Sequence, residues 1–197
     1  ASVPLLEAQA KLKNLAGHIT VNLGNIQDRK ERYVKGLRQA VTKQLEAEGV
    51  KLVQGRATFT GPQAVSVATE NGDREIAFTR CVAATGSVPA SFPGIEADGK
   101  AVLTSTEILE LTFVPESLII IGAGAIGIEL GEFYHRLGCR IILLEGAPRI
   151  LPGEDEEVST VMHRHFTRAG WDIHVGRTIA RVESSPSADP DRPFEAR

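Results

Sequence analysis

The spacing of apolar positions changes twice along this chain, and each change marks a different kind of element. Between residues 4 and 16, Pro4 stands at a first helical position. Leu5, Ala8, Leu12 and Leu15 or Ala16 then recur at helical spacing, with Gly17 as the stop. Residues 19–26 lack that period and read as loop. It returns with Ile26, Tyr33, Val34, Leu37, Val41 and Leu45, which predicts a long helix ended by Gly49. The basic residues on it (Lys30, Arg32, Lys35, Arg38, Lys43) interleave with acids, the pattern of a solvated face rather than a binding patch.

From residue 50 the spacing shortens to that of strands. Val50–Thr60, Ala64–Thr69 and Glu75–Thr79 are separated by Gly61-Pro62 and Asn71-Gly72-Asp73, so a three-stranded antiparallel meander is expected. Cys81–Ala84 is more evenly apolar and suits a fourth strand buried in a parallel sheet. Thr85-Gly86-Ser87-Val88-Pro89 breaks it, and a Pro- and Gly-bearing connection runs to about residue 100, where a domain boundary is expected.

Beyond that boundary strand and helix alternate: strand 118–121, helix 125–137, strand 140–145, helix 155–169 and strand 172–175. Val158, Val161, Met162, Phe166 and Ala169 share one face of the second helix. Acids Glu154 to Glu157 stand at its start and Arg168 near its end, as the helix dipole favours, so the acids read as a helix start rather than a metal site. Such alternation implies an α/β fold with a parallel, doubly wound sheet.

Composition narrows the function classes. A chain of 197 residues with 42% hydrophobic and 24% charged residues has room for one domain or two small ones and is neither disordered nor collagen-like. Its net charge of −3 supplies no basic field for nucleic acid. No apolar run approaches the roughly 18 residues that span a membrane. The first residues also lack the charged and apolar regions of a signal peptide, so a soluble chain is expected. Cys81 and Cys139 lie 58 positions apart in apolar, strand-like contexts, and both are expected to be buried thiols in a reducing compartment.

The chemistry-bearing motif is Gly122-Ala123-Gly124-Ala125-Ile126-Gly127, between a strand and a helix. Each glycine has its own reason: Gly122 for the tight turn, Gly124 for close approach of a pyrophosphate, and Gly127 for packing helix on sheet. The amides opening the helix face the phosphates. Glu145 ends the next strand, 18 residues after Gly127. A carboxylate there accepts hydrogen bonds from the adenosine ribose hydroxyls and repels a 2′-phosphate, which favours NAD over NADP.

The run from Leu118 to Gly131 resembles the NAD-binding segment of the flavoprotein disulfide reductases, also called pyridine nucleotide-disulfide oxidoreductases. Leu144-Glu145 and Arg149-Ile150-Leu151-Pro152-Gly153 make the dihydrolipoamide dehydrogenase branch look nearest. The likeness extends to Ala84–Ser87, Pro93-Gly94, Ser105-Thr106 and the helix before Gly55, and so covers nearly the whole chain.

The resemblance implies a Rossmann-like NAD-binding domain at 115–197, a connection at 89–114, and at 1–88 part of a related FAD-binding domain carrying the meander. It implies FAD and NAD as cofactors, with Gly122 through Gly127 and Ile128 at the pyrophosphate. Glu129 would lie near the nicotinamide and pair with a lysine of the flavin domain, and Ile179 beside the NAD adenine. Thr85, Gly86 and Ser87 would touch FAD, and Ala57 would lie near the FAD adenine. The substrate would be a dithiol, as a small molecule or on a lipoyl domain. The parent enzyme would be a homodimer in the cytoplasm, or in the mitochondrial matrix of a eukaryote.

The family works through two cysteines spaced C-x₄-C beside the flavin, and this sequence has no such pair. The family's first FAD glycine loop, its later Gly-Asp segment and its His-Glu pair are also missing from it. The chain is therefore expected to be an internal piece of a longer enzyme, inactive alone. Residues 1–17 resemble the helix following the dithiol, and Ser184 to Pro193 reads as a hairpin cut short, with a linker or disorder as the alternative. A mercuric reductase-like or transhydrogenase-like relative is the alternative within the same chemistry. A non-catalytic NAD-binding module is the alternative outside it.

Overall fold

The computed structural model describes residues 21–90, 94–177, 179, 182, 184–186 and 194–196. The helix expected at 4–16 lies outside them. Two compact units emerge: Asp28–Val88, and Ala1–Gln27 together with Pro89–Arg197.

Helix α1 spans Leu23–Ala47 and so begins inside the stretch read as loop. Asn22 explains the earlier start, since its Oδ1 accepts from the Asn25 N–H at 3.1 Å and caps the helix. At the other end, Gly49 has φ +73°. The Val50 N–H reaches the Leu45 carbonyl at 2.9 Å and the Gly49 N–H the Glu46 carbonyl at 3.0 Å, a Schellman ending that needs glycine there.

Strands β1 (Arg56–Gly61), β2 (Ala64–Thr69) and β3 (Gly72–Ala77) form the antiparallel meander in sequence order. The first strand is shorter than expected, because only from Arg56 does a partner exist, at Ala68. The third starts earlier, because Thr69 already pairs with Gly72 and leaves Glu70 and Asn71 alone to make the turn. The strand expected at Cys81–Ala84 does not form; those residues are exposed and unpaired with any strand. A buried parallel strand needs neighbours in its sheet, and the described residues supply none here. Cys81 is accordingly exposed, which overturns its reading as a buried thiol.

The other unit is the alternating one. A single helical turn, α2 (Ser105–Ile108), is held by a capping box between Thr104 and Glu107. Then follow β4 (Ser117–Ile121), α3 (Ala125–Arg136), β5 (Arg140–Glu145), α4 (Glu156–Arg168) and β6 (Asp172–Val175). The three strands are parallel, in the order β4-β5-β6. Asp155 sits at the N-cap of α4, with Glu156 and Glu157 in its first turn, so the acids do begin a helix.

The core lies in this unit. Ile141 and Leu143 of the central strand and Ile150 are fully buried. Phe166 stacks on Trp171 with ring centroids 4.3 Å apart. Tyr134, also buried, donates its hydroxyl to the Ile108 carbonyl at 2.7 Å. The resulting desolvation, and after it the neighbouring Cys139, raises the phenol's pKa. Two short strands, β7 (Ser184–Pro186) and β8 (Phe194–Ala196), pair antiparallel, as the hairpin reading requires.

Candidate functional site

The glycine segment leaves the carboxyl end of β4 and turns into α3. The Gly122 N–H donates to the Leu144 carbonyl at 2.8 Å and carries the sheet one residue past the strand. The chain then turns at Gly122 itself, where φ is +100°, a conformation closed to bulkier residues. At Gly127 the constraint is space: an added Cβ would lie 2.2 Å from the Gly122 carbonyl oxygen. At Gly124 the protein imposes no such limit, and a Cβ would meet nothing within 4 Å. The three glycines therefore separate by cause: backbone conformation at Gly122, space at Gly127, and neither at Gly124, where room is left for a pyrophosphate to approach.

Gly124 is the N-cap of α3 and offers no side-chain cap. The first N–H within the helix to find its acceptor is that of Ile128, bonded to the Gly124 carbonyl at 3.0 Å. The amides of Ala125, Ile126 and Gly127 thus open towards the space beside Gly124, where the dipole's positive end favours an anion. Ala125 and Ile126 are exposed, whereas Ala123 and Ile128 are buried. These residues fit a dinucleotide pyrophosphate.

Glu145 is half-buried at the end of β5, and both of its oxygens already accept hydrogen bonds. Oε1 takes the Ala147 N–H and Oε2 the Ala123 N–H, each at 2.7 Å. A carboxylate has about four acceptor sites, so it keeps capacity for the hydroxyls of a ribose. Its bond to Ala123 ties the end of β5 directly to the glycine loop.

Other expected site residues are distributed unevenly. Glu129 is exposed on α3, one residue beyond the buried Ile128. Ile179 is half-buried, two residues beyond Arg177, whose N–H reaches the Glu145 carbonyl at 3.0 Å. Ala57, Thr85, Gly86 and Ser87 belong to the meander unit. Ala57 lies on β1 opposite Val67. Thr85 to Ser87 are exposed and irregular, with φ +79° at Gly86.

Sequence reasoning missed the far side of the loop. Leu151 adopts φ +48°, unusual for a residue with a branched side chain, and its N–H donates to the Ala123 carbonyl at 2.8 Å. The available signal was the run Arg149–Gly153, in which Pro152 and Gly153 mark a turn.

Among the described residues no group of His, Cys, Asp and Glu is placed to hold a metal, and no helix is long and apolar enough to cross a membrane. Burial pushes the Cys139 thiol up to about 11, which leaves it unreactive at neutral pH.

Comparison with known proteins places this geometry in a family. The chain is 37% identical to dihydrolipoyl dehydrogenase of Chlorobaculum tepidum, with 85% of this chain and 37% of that protein covered. Dihydrolipoyl dehydrogenase 3 of Pseudomonas aeruginosa is 35% identical, over 83% of this chain and 35% of its own length. The chain thus spans little more than a third of these relatives. Among solved structures, LpdA of Mycobacterium tuberculosis superposes with TM-score 0.82 at 23% identity, over 99% of this chain and 45% of that one. The flavoprotein disulfide reductase RclA of Escherichia coli gives TM-score 0.70 at 26% identity, over 82% and 37%. LpdA supports the Rossmann-like α/β fold. The family profile of the pyridine nucleotide-disulphide oxidoreductases matches residues 3–191, nearly the whole chain, and the chain belongs to that family, whose members use FAD and NAD(H).

Proposed function

We propose that this chain holds NAD for an FAD-dependent disulfide oxidoreductase of the dihydrolipoyl dehydrogenase type. The observation that carries the reading is the open space at Gly124, where the free amides of α3 meet a strand end bearing Glu145. In this reading the amides of Ala125, Ile126 and Gly127 bind the pyrophosphate, with Gly122, Ala123 and Gly124 shaping its approach. Glu145 accepts from the ribose hydroxyls and excludes a 2′-phosphate. Ile128 packs beneath the loop, Glu129 lies by the nicotinamide, and Ile179 covers the adenine.

The cofactors divide along the chain. Residues 115–197 serve NAD, 89–114 connect, and 1–88 belong to the FAD domain, with Ala57, Thr85, Gly86 and Ser87 towards the flavin nucleotide. NAD bound here accepts a hydride from the reduced flavin. The substrate is a dithiol, free or on a lipoyl domain, and the whole enzyme is a cytoplasmic homodimer.

Dithiol oxidation needs a pair of cysteines that can join. Cys81 and Cys139 are separated in sequence, and one is exposed while the other is buried and held protonated. The 197-residue chain alone therefore binds NAD without turning over dihydrolipoamide. Mixing it with dihydrolipoamide and NAD and following NADH absorbance tests this: no NADH is expected, and steady formation would overturn the division of labour.

A further inference from the structure

Ala123 stands at the middle of the glycine loop and is completely buried, and both of its peptide groups are held by other parts of the protein. Its N–H is taken by Glu145 at 2.7 Å, from the end of β5. Its carbonyl is taken by the Leu151 N–H at 2.8 Å, from the connection after β5. Loops that recognise phosphate by backbone amides need those amides fixed in advance, because ordering them on binding weakens affinity.

Leu151 meets Ala123 in a left-handed conformation, which is costly for a leucine and persists where the surroundings hold it. That support is Ser159. The residue lies in the core, 2% exposed, and its one hydroxyl proton is shared between the Ile150 carbonyl at 2.7 Å and the Leu151 carbonyl at 3.2 Å. The Glu154 N–H closes the turn on the same Leu151 carbonyl at 3.0 Å. A helix on one side of the sheet end is thereby linked, through one strained turn, to the loop that faces the phosphates.

We propose that Ser159 and Leu151, with Glu145 opposite, form a clamp on Ala123 that sets the phosphate loop before any nucleotide arrives. Ser159 is then a positioning residue for NAD affinity although it lies outside the binding surface. This rests on the NAD reading above and adds to it residues that recognise no part of the nucleotide themselves.

Hydrogen exchange followed by NMR on the 197-residue chain without nucleotide tests the clamp directly. The Ala123 and Leu151 amides should exchange about 100-fold or more slowly than open loop amides. Exchange at loop rates at either position would overturn the clamp. In Ser159→Ala those two amides should lose about tenfold protection while Leu143 keeps its own. Affinity for NAD and for ADP should fall about fivefold, as expected for one lost buried hydrogen bond. Adenosine, which lacks the pyrophosphate, should bind as before, and Thr160→Ala, which also removes a hydroxyl but on an exposed neighbour, should alter nothing.

Equal weakening towards adenosine, or unchanged affinity for NAD and ADP, would reduce Ser159 to an ordinary core residue. Failure of the unaltered chain to bind NAD would overturn the nucleotide reading and Ser159's role with it. The exchange measurement uses no nucleotide, so it separates that failure from a failure of the clamp.

Discussion

The two units are built from similar patterns and end in different states. In the β4–α3–β5–α4–β6 unit, apolar periodicity becomes burial: Ile141 and Leu143 are 0% exposed and Phe166 2%. In Asp28–Val88 the same kind of periodicity stays in solvent, with Tyr33 68%, Leu37 50% and Phe59 60% exposed. Only Val67 is buried there. The difference is one of layers. A βαβαβ unit supplies both sheet and helices to cover each other, whereas a lone meander and helix offer apolar faces that need a further layer. A hydrophobic stripe therefore says which face is to be covered and not what covers it.

Substitutions should separate the two units by energy. Phe166→Ala, which empties the stack on Trp171, should cost about 3–5 kcal/mol in denaturant unfolding. Leu37→Ala, half-exposed on α1, should stay within about 0.5 kcal/mol. Comparable losses at both sites would mean that α1 is covered after all. Between these extremes lies Gly131, where a Cβ would sit 2.5 Å from the Trp171 ring. Gly131→Ala should cost about 1–3 kcal/mol by overpacking, seen as a lowered unfolding midpoint.

The two cysteines sharpen the contrast by chemistry. An alkylating thiol reagent at pH 8 should label exposed Cys81 readily and leave Cys139 intact until the protein unfolds. Equal labelling would contradict the packed core around Cys139. The same group gives a smaller pH effect. Its folded pKa of about 11 lies above an ordinary thiol value of 9.0, so the folded state keeps a proton that the unfolded chain loses. Its stabilising contribution should be complete below pH 9 and be lost as pH rises towards 11. In urea unfolding, Cys139→Ala should flatten that alkaline slope.

The alternating unit was legible almost to the residue because each element carries its own boundary signal. Asp155 and the acids begin α4, and Gly122 ends β4 by a turn only glycine makes easily. The meander was legible in number and order but not in register, since turn residues and strand residues overlap at Gly72 and Asp73. Cys81–Ala84 misled because apolar content reports a demand for burial, which the described residues do not meet. Within the site, the glycines and Glu145 could be named from spacing. Leu151 and Ser159 could not, because a left-handed leucine and a buried serine hydroxyl leave no periodic trace; they matter through hydrogen bonds between segments distant in sequence.

The site itself is tested most directly by nucleotide preference. On the proposed reading, isothermal titration of the 197-residue chain should show one site for NAD, with NADP at least about tenfold weaker because the Glu145 carboxylate would repel a 2′-phosphate. Glu145→Ala should weaken NAD and narrow that gap. NADP binding as tightly as NAD, or Glu145→Ala leaving the preference intact, would contradict the assignment of this loop and carboxylate to NAD.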